Sequence, residues 1–167
     1  MHKKEAVESI EEAMASLDAQ LKYMGYLVAG IDLKEEVLAT HISECGFDLW
    51  IERNRRWIVK LFGRATLEDL SRLHLMRLDE NKKICDIIQV YPAKRGIVGR
   101  FFGRKKASVA DLDRARAYYD DLKKINDRLV RKMEILLVRA RSRPAEDYVG
   151  VTAESQEQRW QKSTVSI

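Results

Sequence analysis

Apolar residues recur every three or four positions over most of the chain, which is the spacing of one face of an α-helix. In the first such segment, from Glu5 to Gly30, acidic residues near the start suit the positive end of a helix dipole, and Gly30 can end the helix. The segment predicts a first helix, with Gln20 at the border of its apolar seam. That seam consists of Val7, Ile10, Met14, Leu17, Leu21, Met24, Val28 and Ile31.

A second helix is predicted from about Leu33 to about Arg53, because apolar residues again follow a helical spacing there. Its inward positions are Leu38, His41, Ile42, Cys45 and Leu49. The next segment, 54–64, mixes aromatic and basic residues without a clean period. We interpret this segment as a loop or a short packed segment that closes one end of the fold.

Thr66, followed by two acidic residues, begins a third predicted helix, and Pro92 ends it. His74 lies on the apolar stripe of this helix, one turn before Leu78. The predicted inward positions are Leu67, Leu70, His74, Leu78, Asn81, Cys85, Ile88 and Tyr91.

The fourth and longest predicted helix begins at Ser108, with Asp111 three residues later, and ends before Pro144. Asn126 interrupts its apolar stripe. An asparagine in such a seam commonly fixes helix register or the number of partners, so Asn126 suggests an oligomer. The stripe consists of Leu112, Ala115, Tyr119, Leu122, Asn126, Leu129, Met133, Leu136 and Ala140.

Four long helices with short connections predict an all-α fold, an up-down-up-down four-helix bundle that forms a dimer. The bundle is expected to span residues 1–143, and residues 144–167 are expected to form a polar, flexible tail in which Trp160 is the bulky residue. Composition favours the same class: 46% of the residues are hydrophobic and 34% are charged, with only 8 Gly and 2 Pro among 167 residues.

The chain contains few residues that are candidates for catalysis or metal binding. The two cysteines, Cys45 and Cys85, lie in helical patterns beside apolar neighbours, and no signal peptide or transmembrane run is visible. We therefore expect a cytoplasmic protein with reduced thiols. There are three histidines, and neither His41 nor His74 has a glutamate three residues before it, as a di-iron bundle requires. No Ser-His-Asp arrangement appears either, so we do not expect an enzyme.

Three pieces of the chain carry a family resemblance. They are Leu17-Asp18-Ala19-Gln20-Leu21-Lys22-Tyr23, Cys45-Gly46-Phe47-Asp48-Leu49-Trp50, and His74 with Leu78 four residues later. Over roughly residues 10–140 the chain resembles the chemoreceptor zinc-binding domain, CZB. The resemblance implies a generally homodimeric four-helix bundle in bacterial signalling, a regulatory sensor whose zinc ion is held by one cysteine and three histidines.

Only part of the ligand set that the resemblance implies is present. Cys45 and His74 occupy ligand positions, whereas Gln20 and Leu78 stand where the family has histidines. Within the central motif, Trp50 and Phe47 match, and Asp48 stands where the family has glycine. Two donors hold zinc poorly, although His41, one turn before Cys45, offers a third and Gln20 or water a fourth.

We therefore expect no cofactor, with a weakened zinc site as the alternative. In the absence of a metal ion, we expect Cys45 to be a buried thiol and His74 to be a hydrogen-bonded core histidine, for which Gln20 is a candidate partner. A redox role for Cys45 requires a neighbouring imidazolium from His41 or His74. For Cys85 we expect core packing alone.

The positive charge is concentrated in two windows, 53–64 and 94–106, which hold 11 of the 31 basic residues and none of the 26 acidic ones. Basic residues beside aromatic ones favour an anionic partner, whether nucleic acid, a nucleotide, an acidic protein or a membrane surface. The residues expected to contact it are Arg55, Arg56, Lys60, Lys94, Arg95, Arg100, Arg104, Lys105 and Lys106.

Two functions are thus open. The first is a stand-alone regulatory or sensory bundle in bacterial signal transduction, homodimeric, with weakened or lost zinc binding and a signalling protein as partner. The second is a basic adaptor that binds an anionic partner through the two cationic windows.

Overall fold

The structure is a computed structural model, and it describes residues 1–31, 46–88 and 107–150. Within these ranges the secondary structure is entirely helical and contains no strand, so the all-α prediction is confirmed for this part of the chain, which is compatible with a helical bundle. The elements are α1 (Lys3–Val28), α2 (Gly46–Phe62), α3 (Arg64–Ile88), α4 (Val109–Ser142) and a short 3-10 helix (Ala145–Tyr148).

Helix α1 begins and ends close to the predicted positions. The His2 backbone N–H donates to the Glu5 carboxylate at 2.7 Å, which places an acidic group in the first turn. Gly30 takes φ +75 just after the helix, a backbone conformation that glycine adopts at little cost. Gln20 is 8% exposed, so it lies in the core-facing surface of α1 and not only at its border.

Helix α2 corrects the prediction for 54–64, because the helix runs through this segment to Phe62. Trp57, Ile58 and Leu61 are buried, and the segment is therefore not a loop. In the sequence, the polar Asn54 interrupts the apolar spacing that would have indicated a helix. In the structure, its side-chain amide donates to the Trp50 carbonyl at 2.7 Å, and its Oδ1 accepts from the Trp57 indole at 2.6 Å. A polar side chain is thus satisfied inside the core.

The inward position assigned to Leu49 is wrong, because its side chain is 44% exposed. Phe47 and Trp50, three residues apart on α2, face the core in its place, and their rings stack at 5.4 Å. The predicted inward positions Leu38, His41, Ile42 and Cys45 lie outside the described residues.

Helix α3 begins at Arg64, directly after Gly63, and not at Thr66. Gly63 takes φ +91, and this single residue joins α2 to α3. The Thr66 hydroxyl donates back to the Phe62 carbonyl at 2.8 Å, which explains why a residue type common at helix starts occurs inside the first turn. The predicted end at Pro92 lies outside the described residues.

Helix α4 confirms the predicted capping at Ser108, whose hydroxyl accepts from the Asp111 backbone N–H at 3.1 Å. It ends at Ser142, before Pro144, as predicted. The next residues differ from the expected polar tail, since Tyr148 is 1% exposed and its hydroxyl donates to the Ala140 carbonyl at 2.9 Å. The rest of the expected tail, 151–167, lies outside the described residues.

Among the described residues, two apolar clusters form the core. The first surrounds Trp57 and includes Leu17 and Leu129; the second includes Met24 and Leu122. Along α1, therefore, a polar Gln20 separates Leu17 from Met24, and along α4 Asn126 separates Leu122 from Leu129. A polar layer between the clusters follows from these positions. None of the described helices combines the length and the apolar run that crossing a membrane requires.

Candidate functional site

The candidate site is this polar layer, which we define as Gln20, Asp48, His74, Arg77 and Asn126. Four of its members are almost completely buried: Gln20 is 8% exposed, His74 2%, Arg77 1% and Asn126 2%. The Asp48 side chain, by contrast, is 49% exposed. The layer draws on α1, α2, α3 and α4, and it reaches solvent through Asp48.

Arg77 is the central residue of the layer. Its Nη1 donates to Gln20 Oε1 at 2.6 Å, and its Nη2 lies 3.4 Å from His74 Nδ1. A guanidinium stays protonated under all ordinary conditions, so a full positive charge lies inside the bundle. Because burying a charge is costly without hydrogen-bonding partners, these contacts are required for the fold to accept Arg77.

His74 connects Arg77 to the surface. Its Nε2 contacts the Asp48 carboxylate, and its ring packs against Phe47 at 5.2 Å between ring centres. Burial, and then the nearby Arg77 charge, lower the pKa of His74 from its usual 6.5, while Asp48 opposes that change. The neutral tautomer with its proton on Nε2 satisfies both contacts, since Nδ1 is then an acceptor for Arg77.

Helix geometry explains how these side chains meet. His74 and Arg77 are three residues apart on α3 and therefore share one face. Asp48 lies in the first turn of α2, where the positive end of the helix dipole stabilises a carboxylate. Gln20 projects from the core face of α1. The resulting chain of contacts runs from Asp48 through His74 and Arg77 to Gln20.

Asn126 contributes a different property. Its Oδ1 is buried and has no hydrogen-bond partner within the described part of the chain. An unsatisfied buried acceptor costs about 1–3 kcal/mol. Because Asn126 lies in the core of a single chain, its position in the seam gives no reason of its own for an oligomer.

The predicted metal-site residues are only partly brought together. Gln20 and His74 meet through the Arg77 guanidinium, and Leu78 is half-buried on α3. His41 and Cys45 lie outside the described residues. Within 1–31, 46–88 and 107–150 no group of three potential ligands among His, Cys, Asp and Glu occurs.

The described residues do not fit a zinc ion. Both ring nitrogens of His74 are engaged, one by Asp48 and the other beside Arg77. A positive guanidinium at 3.4 Å from a ligand nitrogen repels a divalent cation placed there. Gln20 offers a carbonyl oxygen that already accepts from Arg77, and such an oxygen is a poor zinc donor.

The first basic window is a helical surface. Arg55 and Arg56 on α2 and Arg64 on α3 are exposed and line one groove of about 650 Å³. Lys60 is exposed on α2 as well. The predicted contact residues of the second window, Lys94, Arg95, Arg100, Arg104, Lys105 and Lys106, lie outside the described residues.

Cys85 is a packed thiol, as predicted. It is 8% exposed and belongs to the second apolar cluster. Burial, with a smaller contribution from Asp86, raises the pKa of the Cys85 thiol to about 11, so it is protonated and unreactive at neutral pH.

The sequence prediction missed Asp48 and Arg77. Arg77 continues the stripe of three- and four-residue steps through Leu70, Leu73 and His74, so its spacing was a usable signal, although a charged residue at such a position normally faces solvent. Asp48 was noticed only as a departure from the glycine of the family motif.

Comparison of the chain with protein-family models, with curated proteins and with solved structures gives no significant match.

Proposed function

We propose that this protein is a non-catalytic, cytoplasmic regulatory module of bacterial signal transduction, built like the zinc-sensing bundles that it resembles but independent of a metal ion. One observation carries the proposal: the Arg77 guanidinium, 1% exposed, lies between Gln20 and His74. These are two positions at which the resemblance implies zinc ligands. The layer thus has a permanent internal cation.

The proposed architecture is an up-down-up-down bundle. Lys3 donates to the Arg143 carbonyl, and Arg116 donates to the Val28 carbonyl, contacts that support opposite directions for α1 and α4. Lys132 pairs with Asp69 at 3.0 Å, while the Lys83 ammonium lies 5.5 Å from the Tyr118 ring centre. These contacts support opposite directions for α3 and α4.

The proposed assembly is a homodimer. Ile135 and Val138, three residues apart on α4, are 57% and 64% exposed, and apolar side chains on one helix face support association. Light scattering during size-exclusion chromatography tests this: the mass of one chain over the whole concentration range contradicts the dimer.

The polar layer is the element proposed to switch. Packed cores have discrete alternative arrangements, and a ligand or partner shifts the population between them. Since Asp48 is half exposed and contacts buried His74, an event at the surface reaches Arg77 through two contacts. The Asn126 oxygen, unpartnered among the described residues, leaves the layer a further hydrogen bond to gain in a second arrangement.

Metal independence is tested first. Protein purified without chelators is expected to hold almost no zinc, and added zinc is expected to leave its thermal unfolding unchanged. Cys45→Ala is the matched control and should behave identically. Stoichiometric zinc that is lost in Cys45→Ala contradicts the proposal.

Switching is tested by hydrogen exchange of backbone amides. Arg77→Met should change protection in α1 and α4 beside Gln20 and Asn126 more than it changes protection around Trp57, because the layer separates the clusters. Arg72→Met, exposed on the same helix, is the control. Identical protection in the wild type and Arg77→Met removes the switching role.

A second candidate function is the basic adaptor for nucleic acid, nucleotide or membrane, and the exposed arginines of α2 favour it. Replacing Lys94, Arg95, Arg104 and Lys105 with alanine is then expected to abolish salt-dependent binding of anionic ligands. Binding that persists unchanged in this variant rules the adaptor out for the second window.

A further inference from the structure

A groove on the surface between α2 and α3 combines basic, acidic and apolar residues in one lining. It has a volume of about 650 Å³ and is lined by residues of both helices on either side of Gly63. This volume is within the range of about 300–1,000 Å³ that is typical of small-ligand sites, and it also accommodates a few side chains of a peptide.

Three of the residues that line the groove are arginines. Arg55, Arg56 and Arg64 are all exposed, and guanidinium groups bind carboxylates through two parallel hydrogen bonds. The three arginines outnumber the two glutamates of the same lining, so the groove has an excess of positive charge that favours an anionic occupant. Since ion pairs at exposed sites are individually weak, the selection depends on their number.

The remaining lining residues narrow the class of occupant. Val59 and Leu67 give the groove an apolar floor, and Glu52 and Glu68 place two carboxylates in the same lining. A nucleic-acid backbone carries one negative charge at every nucleotide and meets repulsion from those carboxylates. A peptide has separated charges and apolar side chains between them, so it can place a leucine on the floor and its acids against the arginines.

We propose that this groove is a docking site for an acidic peptide segment of a partner protein, with apolar residues between its acidic ones. This inference rests on the proposed regulatory function. It describes the kind of peptide segment that the partner protein receiving the signal would present to the groove. The groove contains no residue of the polar layer, so binding at the groove and switching at the layer are separately measurable.

The probe is a short fluorescein-labelled peptide rich in glutamate and leucine, titrated with the full chain and followed by fluorescence anisotropy. Two comparison probes are the same peptide with glutamine in place of glutamate and a single-stranded DNA oligonucleotide. The acidic peptide is expected to bind, and its affinity is expected to fall as salt is added.

The test variant replaces Arg55, Arg56 and Arg64 with alanine, and the matched control replaces Arg114, Arg128 and Arg131, three exposed arginines of α4. Both triple variants lose the same charge. The groove variant is expected to bind the acidic peptide at least about tenfold more weakly, whereas the control keeps its affinity. An equal loss in both variants, or no binding by the wild type, overturns the proposal.

A charge-reversal variant shows whether weaker binding of the acidic peptide is due to the lost charges or to a folding defect. With glutamate at the three groove positions, a lysine-and-leucine peptide is expected to bind in place of the acidic one. Failure of this exchange in a variant with wild-type helicity overturns the proposal, and so does tighter binding of the DNA than of the acidic peptide. Arg77→Met keeps all three groove arginines and should still bind the acidic peptide in a salt-dependent way, which separates this result from the tests of the polar layer.

Discussion

At the scale of single residues, Arg77 has the least expected environment in the described part of the chain, because its charged side chain is only 1% exposed. A buried guanidinium loses its hydration, and only specific partners offset that loss. Gln20 supplies a neutral oxygen at 2.6 Å, and His74 supplies a ring nitrogen at 3.4 Å. The stability of the layer therefore depends on the exact side chains present, more than that of either apolar cluster does.

Replacing Arg77 with alanine should lower the free energy of unfolding by about 2–4 kcal/mol, because it leaves a cavity and removes the donor to Gln20. Urea denaturation measures the change. Arg72→Ala, exposed one and a half turns away, should change it by less than about 0.5 kcal/mol. A similar effect of the two substitutions contradicts the central role of Arg77.

His74 predicts a pH dependence of stability. Its folded-state pKa is lowered by burial and by Arg77, so the unfolded chain binds the proton more readily. The stabilising contribution is complete above about pH 6.5 and is lost as the pH falls towards the lowered folded pKa. Between about pH 7.5 and pH 5.5 the wild type should lose more stability than His74→Gln. Equal losses in urea denaturation at the two pH values argue against the lowered pKa.

At the scale of elements, the helix ends show what sequence patterns can predict. The hydrogen bond between Ser108 and Asp111 joins residues three positions apart, and Gly30 adopts its positive φ directly after α1. Such local roles at helix ends can be predicted from the sequence alone. Arg77 is different, because its partner Gln20 is 57 positions away. Only packing of α1 against α3 makes a buried arginine acceptable there.

The sequence pattern also failed to predict that α2 continues to Phe62, because this again depends on contacts between side chains. Asn54 reads as a polar break, yet its hydrogen bonds to Trp50 and Trp57 fit it into the core. Two of the five residues of the candidate site, Gln20 and His74, were singled out through the resemblance, and Asn126 was singled out through the helical spacing. Asp48 could not be, since its role depends on His74 from another helix.

The 3-10 helix gives a prediction at the same scale. Tyr148→Ala should lower the free energy of unfolding by about 3–5 kcal/mol, because a large buried aromatic side chain is lost. Tyr148→Phe removes only the hydrogen bond to Ala140 and should cost about 1 kcal/mol. Val149→Ala, at an exposed position, is the control. If all three substitutions leave chemical denaturation unchanged, the segment is not part of the folded core.

At the scale of the whole molecule, the polar layer divides one bundle into two apolar clusters. Such a division lowers stability and raises specificity, because a polar group in the seam excludes packings that leave it unpaired. Asn126 shows the cost, since its Oδ1 has no partner within the described ranges.

Asn126→Leu should therefore raise the free energy of unfolding by about 1 kcal/mol, because it replaces an unsatisfied acceptor with apolar surface. It should also reduce the difference in hydrogen exchange between the two clusters. Leu122→Asn, one turn away in the second cluster, is the reciprocal control and should destabilise. A less stable Asn126→Leu protein indicates that the asparagine oxygen is satisfied in solution.

The single residue between α2 and α3 has a mechanical consequence. Gly63 is the only joint of the two helices, and α2 is a rigid rod of 17 residues, about 25 Å long. The groove lies at the joint and Asp48 lies near the far end of the rod. An occupant that tilts α2 by a few degrees moves Asp48 by roughly 1–2 Å, enough to break its contact with His74. Under the proposed regulatory function, helix α2 is the element through which binding at the groove is transmitted to the buried charge.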